Sequence, residues 1–213
     1  MKAAIFDADG TLLDSMELWE HAGENYLKSK GITPKADLYE KLETMTMEES
    51  ADYFCREYNL GRSKEEVIEE INQMIFAAYE KSVPLKQGVE KVLKDLKKKN
   101  IPMYIATSTD RPLIEAALRR NHILDYFQGI ITCTEAGFSK REPEIYHMAR
   151  GRLATDIRET YVFEDAFFAA ETAHRAGYPL VVIRDKASEK DQAELKKLAD
   201  IYLDSWEEWG DLK

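Results

Sequence analysis

The chain has 213 residues, with 30 Lys and Arg against 40 Asp and Glu, a formal charge of −10. That balance excludes a broad basic surface able to neutralise a nucleic-acid backbone or an anionic membrane. At 44% hydrophobic residues the chain suits a globular protein that buries about 70% of its surface, and no apolar run approaches the length of a membrane span.

Read from the start, Ala3 to Phe6 is a short apolar run closed by Asp7-Ala-Asp-Gly, turn chemistry that ends a strand. The acidic residue arrives too early for a signal peptide. Residues 14–86 carry helical periodicity and no strand pattern. Thr46-x-x-Glu49 and Ser63-x-x-Glu66 read as capping boxes, in which hydroxyl and carboxylate each satisfy a helix-start amide. They open expected helices over about 47–58 and 64–81. Met16, Trp19, Met45, Met47, Phe54 and Met74 recur at helical spacings, so most of them are expected in the core of this segment.

Beyond Pro84 and Gly88 the pattern alternates. Helices over about 88–99, 111–120, 143–151 and 166–176, and a last one after Ile183, each precede a short apolar strand. Those strands are Met103 to Ala106, Gly129 to Thr132, Tyr161 to Phe163, Leu180 to Ile183 and Ile201 to Leu203. Alternation of this kind predicts an α/β fold, a doubly wound parallel sheet covered on both faces. Residues 1–14 and 87–213 then form a Rossmann-like core domain, and 15–86 an inserted α-helical domain. The insertion carries nine basic and fifteen acidic residues, so bulk charge does not make it an anion-gathering surface.

Ligands of an open parallel sheet bind beyond the carboxyl ends of its strands. The polar residues expected there are Asp7 and Asp9, then Thr107, Ser108 and Thr109, then Lys140 on a loop, then Glu164 and Asp165. Clustered carboxylates repel one another unless a cation lies among them, and an all-oxygen set suits a hard ion such as Mg²⁺. Hydroxyls, backbone amides and an ammonium suit a phosphate. Metal, phosphate and a free carboxylate together describe phosphoryl transfer. The four histidines show no metal-ligand spacing, and Cys55 and Cys133 stand too far apart in sequence for a CxxC site or a disulfide framework. A cytoplasmic setting is the expectation.

Asp7-Ala-Asp-Gly-Thr-Leu-Leu-Asp-Ser15 resembles the first motif of the haloacid dehalogenase-like (HAD) hydrolases, in the branch with a helical cap inserted just after it. Thr107 in Ile-Ala-Thr-Ser-Thr resembles the second motif, Lys140 in Ser-Lys-Arg-Glu-Pro-Glu-Ile-Tyr the third, and Phe163-Glu164-Asp165 the fourth. The resemblance spans essentially the whole chain. It implies that Asp7 is the nucleophile that forms an aspartyl-phosphate, and that Asp9 is the general acid and base. It implies that Asp7, the Asp9 carbonyl and Asp165 hold Mg²⁺, with Glu164 acting through a water, and that Thr107, the Ser108 amide and Lys140 hold phosphate oxygens. Asp14 and Ser15 are expected to cap the first insert helix. Arg141 stands where the pattern has proline and Ala169 where it often has glycine. The first departure offers a second cation near the phosphate; the second should alter packing behind the metal.

Asp9 excludes a dehalogenase, which lacks that carboxylate, and the absence of lysine from Met16 to Tyr26 argues against a phosphonate hydrolase. A sugar-phosphate mutase resembling beta-phosphoglucomutase carries a histidine, an arginine and a lysine on its cap; aligned without gaps, those positions fall on Trp19, Met47 and Ile75. Hydrolysis of a small phosphomonoester, as in phosphoglycolate phosphatase-like enzymes, is therefore the expected activity. The mutase and a non-catalytic phosphate-binding module are the alternatives. Trp206 and Trp209 are expected either on the sheet's edge or against another subunit, leaving monomer and homodimer both open.

Overall fold

A computed structural model describes residues 1–42 and 45–211. The chain divides into two compact units, Met1–Met16 with Val83–Lys213, and Glu17–Ser82. In chain order the elements are β1 (Ala3–Phe6), α1 (Met16–Glu20), α2 (Ala22–Ser29), α3 (Leu38–Leu42), α4 (Met47–Tyr58), α5 (Lys64–Lys81) and α6 (Val89–Lys98). There follow β2 (Met103–Thr107), α7 (Arg111–Arg120), β3 (Ile130–Thr132), α8 (Cys133–Ala136), α9 (Glu144–Leu153) and β4 (Thr160–Glu164). The chain then forms α10 (Phe167–Arg175), β5 (Leu180–Ile183), α11 (Gln192–Leu198) and β6 (Ile201–Leu203).

The six strands form one parallel sheet in the order β3-β2-β1-β4-β5-β6. β1 and β5 are buried at every residue, as continuous apolar strands in the middle of a two-sided sheet must be. On one face Ile5, Val162 and Val182 pack with Ile145 and Ala149 of α9, Ala170 of α10 and Leu195 of α11. Strand alternation turns Phe6 and Phe163 the other way. Their rings stack 4.3 Å apart, and Trp206 stacks on Phe163 at 5.6 Å. Trp206 is 2% exposed and donates its indole N–H to the Thr11 carbonyl at 2.9 Å, so it packs within its own chain.

The register fixes what meets at the carboxyl edge. Phe6 pairs with Ile105 of β2 and Phe163 of β4. Asp7 therefore emerges level with Glu164, and Thr107 ends the neighbouring strand.

The helical unit is an insertion between β1 and β2. Both expected capping boxes form, Thr46 with Glu49 and Ser63 with Glu66, and α4 and α5 begin where they dictate. α5 buries Val67, Ile71, Ile75 and Tyr79 at every fourth residue, against Ala51 and Phe54 of α4 and Tyr26 and Leu27 of α2. That stripe corrects the expected core: of the six residues singled out, only Phe54 is fully buried. Met47 opens α4 and is 37% exposed, Met74 flanks the stripe, and Met16, Trp19 and Met45 are half-buried. Trp19 keeps a polar tie, its indole N–H donating to the Tyr79 hydroxyl at 2.7 Å. Among the described residues no helix is long and apolar enough to cross a membrane.

Replacing Ser63 with alanine removes the side-chain acceptor at the start of α5, and thermal melts should register a loss of about 1 kcal/mol.

Candidate active site

The site grows out of the turn that ends β1. Asp7 extends the ladder by one bond, its N–H donating to the Phe163 carbonyl at 2.9 Å. The chain then curls on itself, with Leu12 and Leu13 N–H groups both reaching the Ala8 carbonyl at 2.8 Å. Gly10 adopts φ +83°, and a Cβ there would lie 2.7 Å from the Asp165 carboxyl carbon. Only glycine satisfies both demands. Thr11, next in the turn, donates its hydroxyl to Asp165 Oδ1 at 2.9 Å.

From the other side, β4 delivers Glu164 as its last residue and Asp165 just beyond. Lys140, 3% exposed on the connection between α8 and α9, donates to Asp7 and, at 2.7 Å, to Glu164 Oε1. The Tyr146 hydroxyl of α9 donates to that same Glu164 oxygen at 2.7 Å. Asp7, Glu164 and Asp165 each present a carboxylate oxygen within 4.8 Å of the others, and all three are buried.

Burial governs the electrostatics. It pushes the Asp7 carboxyl up to about 6, with Glu164 adding to the rise and Lys140 opposing it. Burial, followed by the Asp7 and Glu164 charges, holds Asp165 well above the ordinary carboxylate range. For Lys140 burial pulls the other way, but the Asp7 and Glu164 charges prevail and its pKa is raised. Tyr146 is pushed well up, by burial and then by Glu164, and so stays a donor. Two of the three carboxylates, Asp7 and Glu164, thus share one lysine, and among the described residues no cation pairs with Asp165. Excess negative charge on hard oxygen donors fits a divalent metal ion.

The sequence-derived residues are not all drawn into this network. Asp7, Lys140, Glu164 and Asp165 meet directly. The Asp9 side chain stands outside the three-carboxylate cluster and accepts from the Ser15 hydroxyl at 2.5 Å. Ser15, immediately before α1, donates this hydroxyl to Asp9, while Asp14 is exposed. Thr107 is buried at the end of β2, its hydroxyl accepting from the Thr109 N–H at 3.1 Å. The Ser108 hydroxyl lies 3.5 Å from Cys133 Sγ. Arg141 is exposed, with its guanidinium 4.9 Å from the centre of the Phe168 ring. Ala169 is fully buried, and its carbonyl lies 3.4 Å from the Tyr146 hydroxyl.

Tyr146, Thr11 and Ser15 join the charged groups without a sequence motif that singles them out for it. Tyr146 left one usable trace: it follows Lys140 by six residues at the start of a helix, close enough to share its partner.

A sequence model of the haloacid dehalogenase-like hydrolase family matches residues 4–183. The phosphorylated carbohydrates phosphatase of Thermotoga maritima is 27% identical over 177 residues, covering 83% of this chain and 82% of that protein. The beta-phosphoglucomutase of Bacillus subtilis is 29% identical over 189 residues, covering 83% and 80%. A crystal structure from Thermotoga maritima, provisionally assigned as a beta-phosphoglucomutase, superposes with a TM-score of 0.87 at 24% identity over 100% of both chains, a likeness of fold.

Proposed function

The chain belongs to the haloacid dehalogenase-like hydrolase family, and from that premise we propose that it is a Mg²⁺-dependent phosphatase of small phosphorylated metabolites, phosphorylated sugars foremost. The observation that carries this reading is the buried trio Asp7, Glu164 and Asp165, of which only Asp7 and Glu164 pair with a lysine, Lys140, among the described residues. The named activity of the Thermotoga relative supports the sugar-phosphate class.

Asp7 attacks phosphorus, and the bond from phosphorus to the leaving oxygen breaks as the Asp7–phosphorus bond forms. Asp9, oriented by the Ser15 hydroxyl, gives its proton to that oxygen, so a neutral alcohol departs. The resulting Asp9 carboxylate then takes a proton from water as the water oxygen attacks phosphorus. The bond from phosphorus to Asp7 breaks, inorganic phosphate leaves, and both aspartates return to their starting states. Lys140 aims Asp7 and neutralises charge at the phosphoryl oxygens, with Thr107 and the Ser108 amide as further donors to them. Asp7, Asp165 and the Asp9 carbonyl would hold Mg²⁺, with Glu164 acting through a water, and the ion would supply charge neutralisation for the transferring group. The helical insertion, residues 15–86, is the cap domain, and the setting is cytoplasmic.

The Bacillus relative favours a second reading, a sugar-phosphate mutase. Against it, Ile75 is 1% exposed inside its own unit and Met47 is apolar, so neither holds a second phosphate. A panel of phosphorylated sugars and other phosphomonoesters incubated with MgCl₂ separates the readings. Release of inorganic phosphate, abolished by EDTA, is expected. Isomerisation of a sugar phosphate without release would establish the mutase, and no reaction across the panel would overturn both.

Gly10→Ala presses a methyl group onto the Asp165 carboxyl group. Titration of activity with Mg²⁺ should show a requirement raised by about tenfold or more.

A further inference from the structure

Residues 83–88 bring the chain back into the first unit. There Leu85 bridges antiparallel to Leu13, and the Lys86 N–H donates to the Leu12 carbonyl at 2.9 Å. The Lys86 side chain then turns inward. Its ammonium donates to the Gly10 carbonyl at 2.7 Å, the Arg184 carbonyl at 2.8 Å and Asp185 Oδ2 at 2.7 Å. Three donors meet three acceptors, which is the full capacity of an ammonium. The ion pair is well shielded, with the Lys86 and Asp185 side chains 16% and 6% exposed.

What Lys86 holds is the turn on which Asp165 rests. Gly10 backs directly onto the Asp165 carboxyl group, and Thr11 donates to it. The two consecutive carbonyls of that turn are pinned from outside, Gly10 by Lys86 and Thr11 by the Trp206 indole. Trp206 is locked in an aromatic stack, whereas Lys86 ties the turn to the loop that follows β5. We propose that Lys86 is a positioning residue for the metal site: it fixes the Gly10–Thr11 turn and thereby holds Asp165 where it can ligate a divalent cation. The proposal rests on the metal-binding reading above.

Electrostatics and positioning predict opposite signs for its loss. Removing a positive charge near an anionic site strengthens cation binding by Coulomb's law. Releasing the turn weakens it, since residues that orient metal ligands are typically worth 10–100-fold in affinity. The test uses Mn²⁺ as a spectroscopic probe, its binding followed by electron paramagnetic resonance on the full-length wild type and three variants. Lys86→Met leaves Asp185 buried without its cation, so Lys86→Met/Asp185→Asn accompanies it, removing that charge as well. Asp185→Asn alone leaves the bond to Gly10 available.

Both Lys86 variants are expected to bind Mn²⁺ roughly tenfold or more weakly than wild type. Their KM for Mg²⁺ should rise, with kcat near wild type at saturating Mg²⁺, and Asp185→Asn should bind like wild type. Undiminished Mn²⁺ affinity in Lys86→Met, or recovery of wild-type affinity in the double variant, would overturn the proposal. So would failure of both Lys86 variants to fold, which would make the lysine a stability element. Wild-type protein that bound no Mn²⁺ would instead remove the metal-binding reading and this inference with it.

Discussion

Asp7→Asn is expected to reduce phosphate release by about 10⁴-fold or more, the scale on which loss of an enzymatic nucleophile is felt. The amide keeps the shape of the carboxylate but cannot attack phosphorus. The fold should not suffer. Burial has pushed the Asp7 carboxyl up to about 6, so at neutral pH its charged form is disfavoured in the folded protein relative to the unfolded chain. Neutralising it relieves that cost while removing one of two acidic partners of Lys140. The variant should therefore melt at or above the wild-type temperature while losing turnover. A well-folded variant with wild-type activity would remove Asp7 as the nucleophile.

Lys140→Met should act on stability and activity together. Asp7 and Glu164, both buried, would lose the only cation that pairs with them among the described residues. Breaking a buried ion pair by deleting one partner costs about 3–5 kcal/mol. For a chain of 213 residues that lowers Tm by roughly 6–20 °C. Because the deficit is one of positive charge, Mg²⁺ should recover more stability in this variant than in wild type. Activity should fall even at saturating Mg²⁺, since Lys140 also aims Asp7. Calorimetric melts with and without Mg²⁺ check this, and an unchanged Tm in metal-free buffer would contradict the ion-pair account.

The legible features were those set by short-range chemistry. Capping boxes at Thr46 and Ser63 placed the starts of α4 and α5 because the two residues that make each box lie one helical turn apart. Continuous apolar runs marked β1 and β5 because both faces of those strands are covered. The carboxylates at strand ends were legible for the same reason, since Asp7 and Glu164 stand where two such runs stop. Contacts between distant segments left no such trace. Thr11 and Asp165 are 154 positions apart and Lys86 and Asp185 are 99, and only the sheet order and the turn at Gly10 bring them together.

The core of the insertion differs from the sequence expectation for a physical reason as well. Large apolar side chains at helical spacing do not say which stripe faces inward. Val67, Ile71, Ile75 and Tyr79 form a stripe without breaks, and it displaces Met74 to the flank. Trp19 stays half-buried, with its indole N–H tied to the hydroxyl of the buried Tyr79.

The most direct test of the account is to trap the phosphoenzyme. Wild-type protein and Mg²⁺ are mixed with the sugar phosphate turned over fastest in the panel, carrying a labelled phosphoryl group, and quenched in acid during turnover. Label should appear transiently on the peptide that contains Asp7, be released by mild base, and be absent from Asp7→Asn. Continuing phosphate release with no label on that peptide at any quench time would contradict the account.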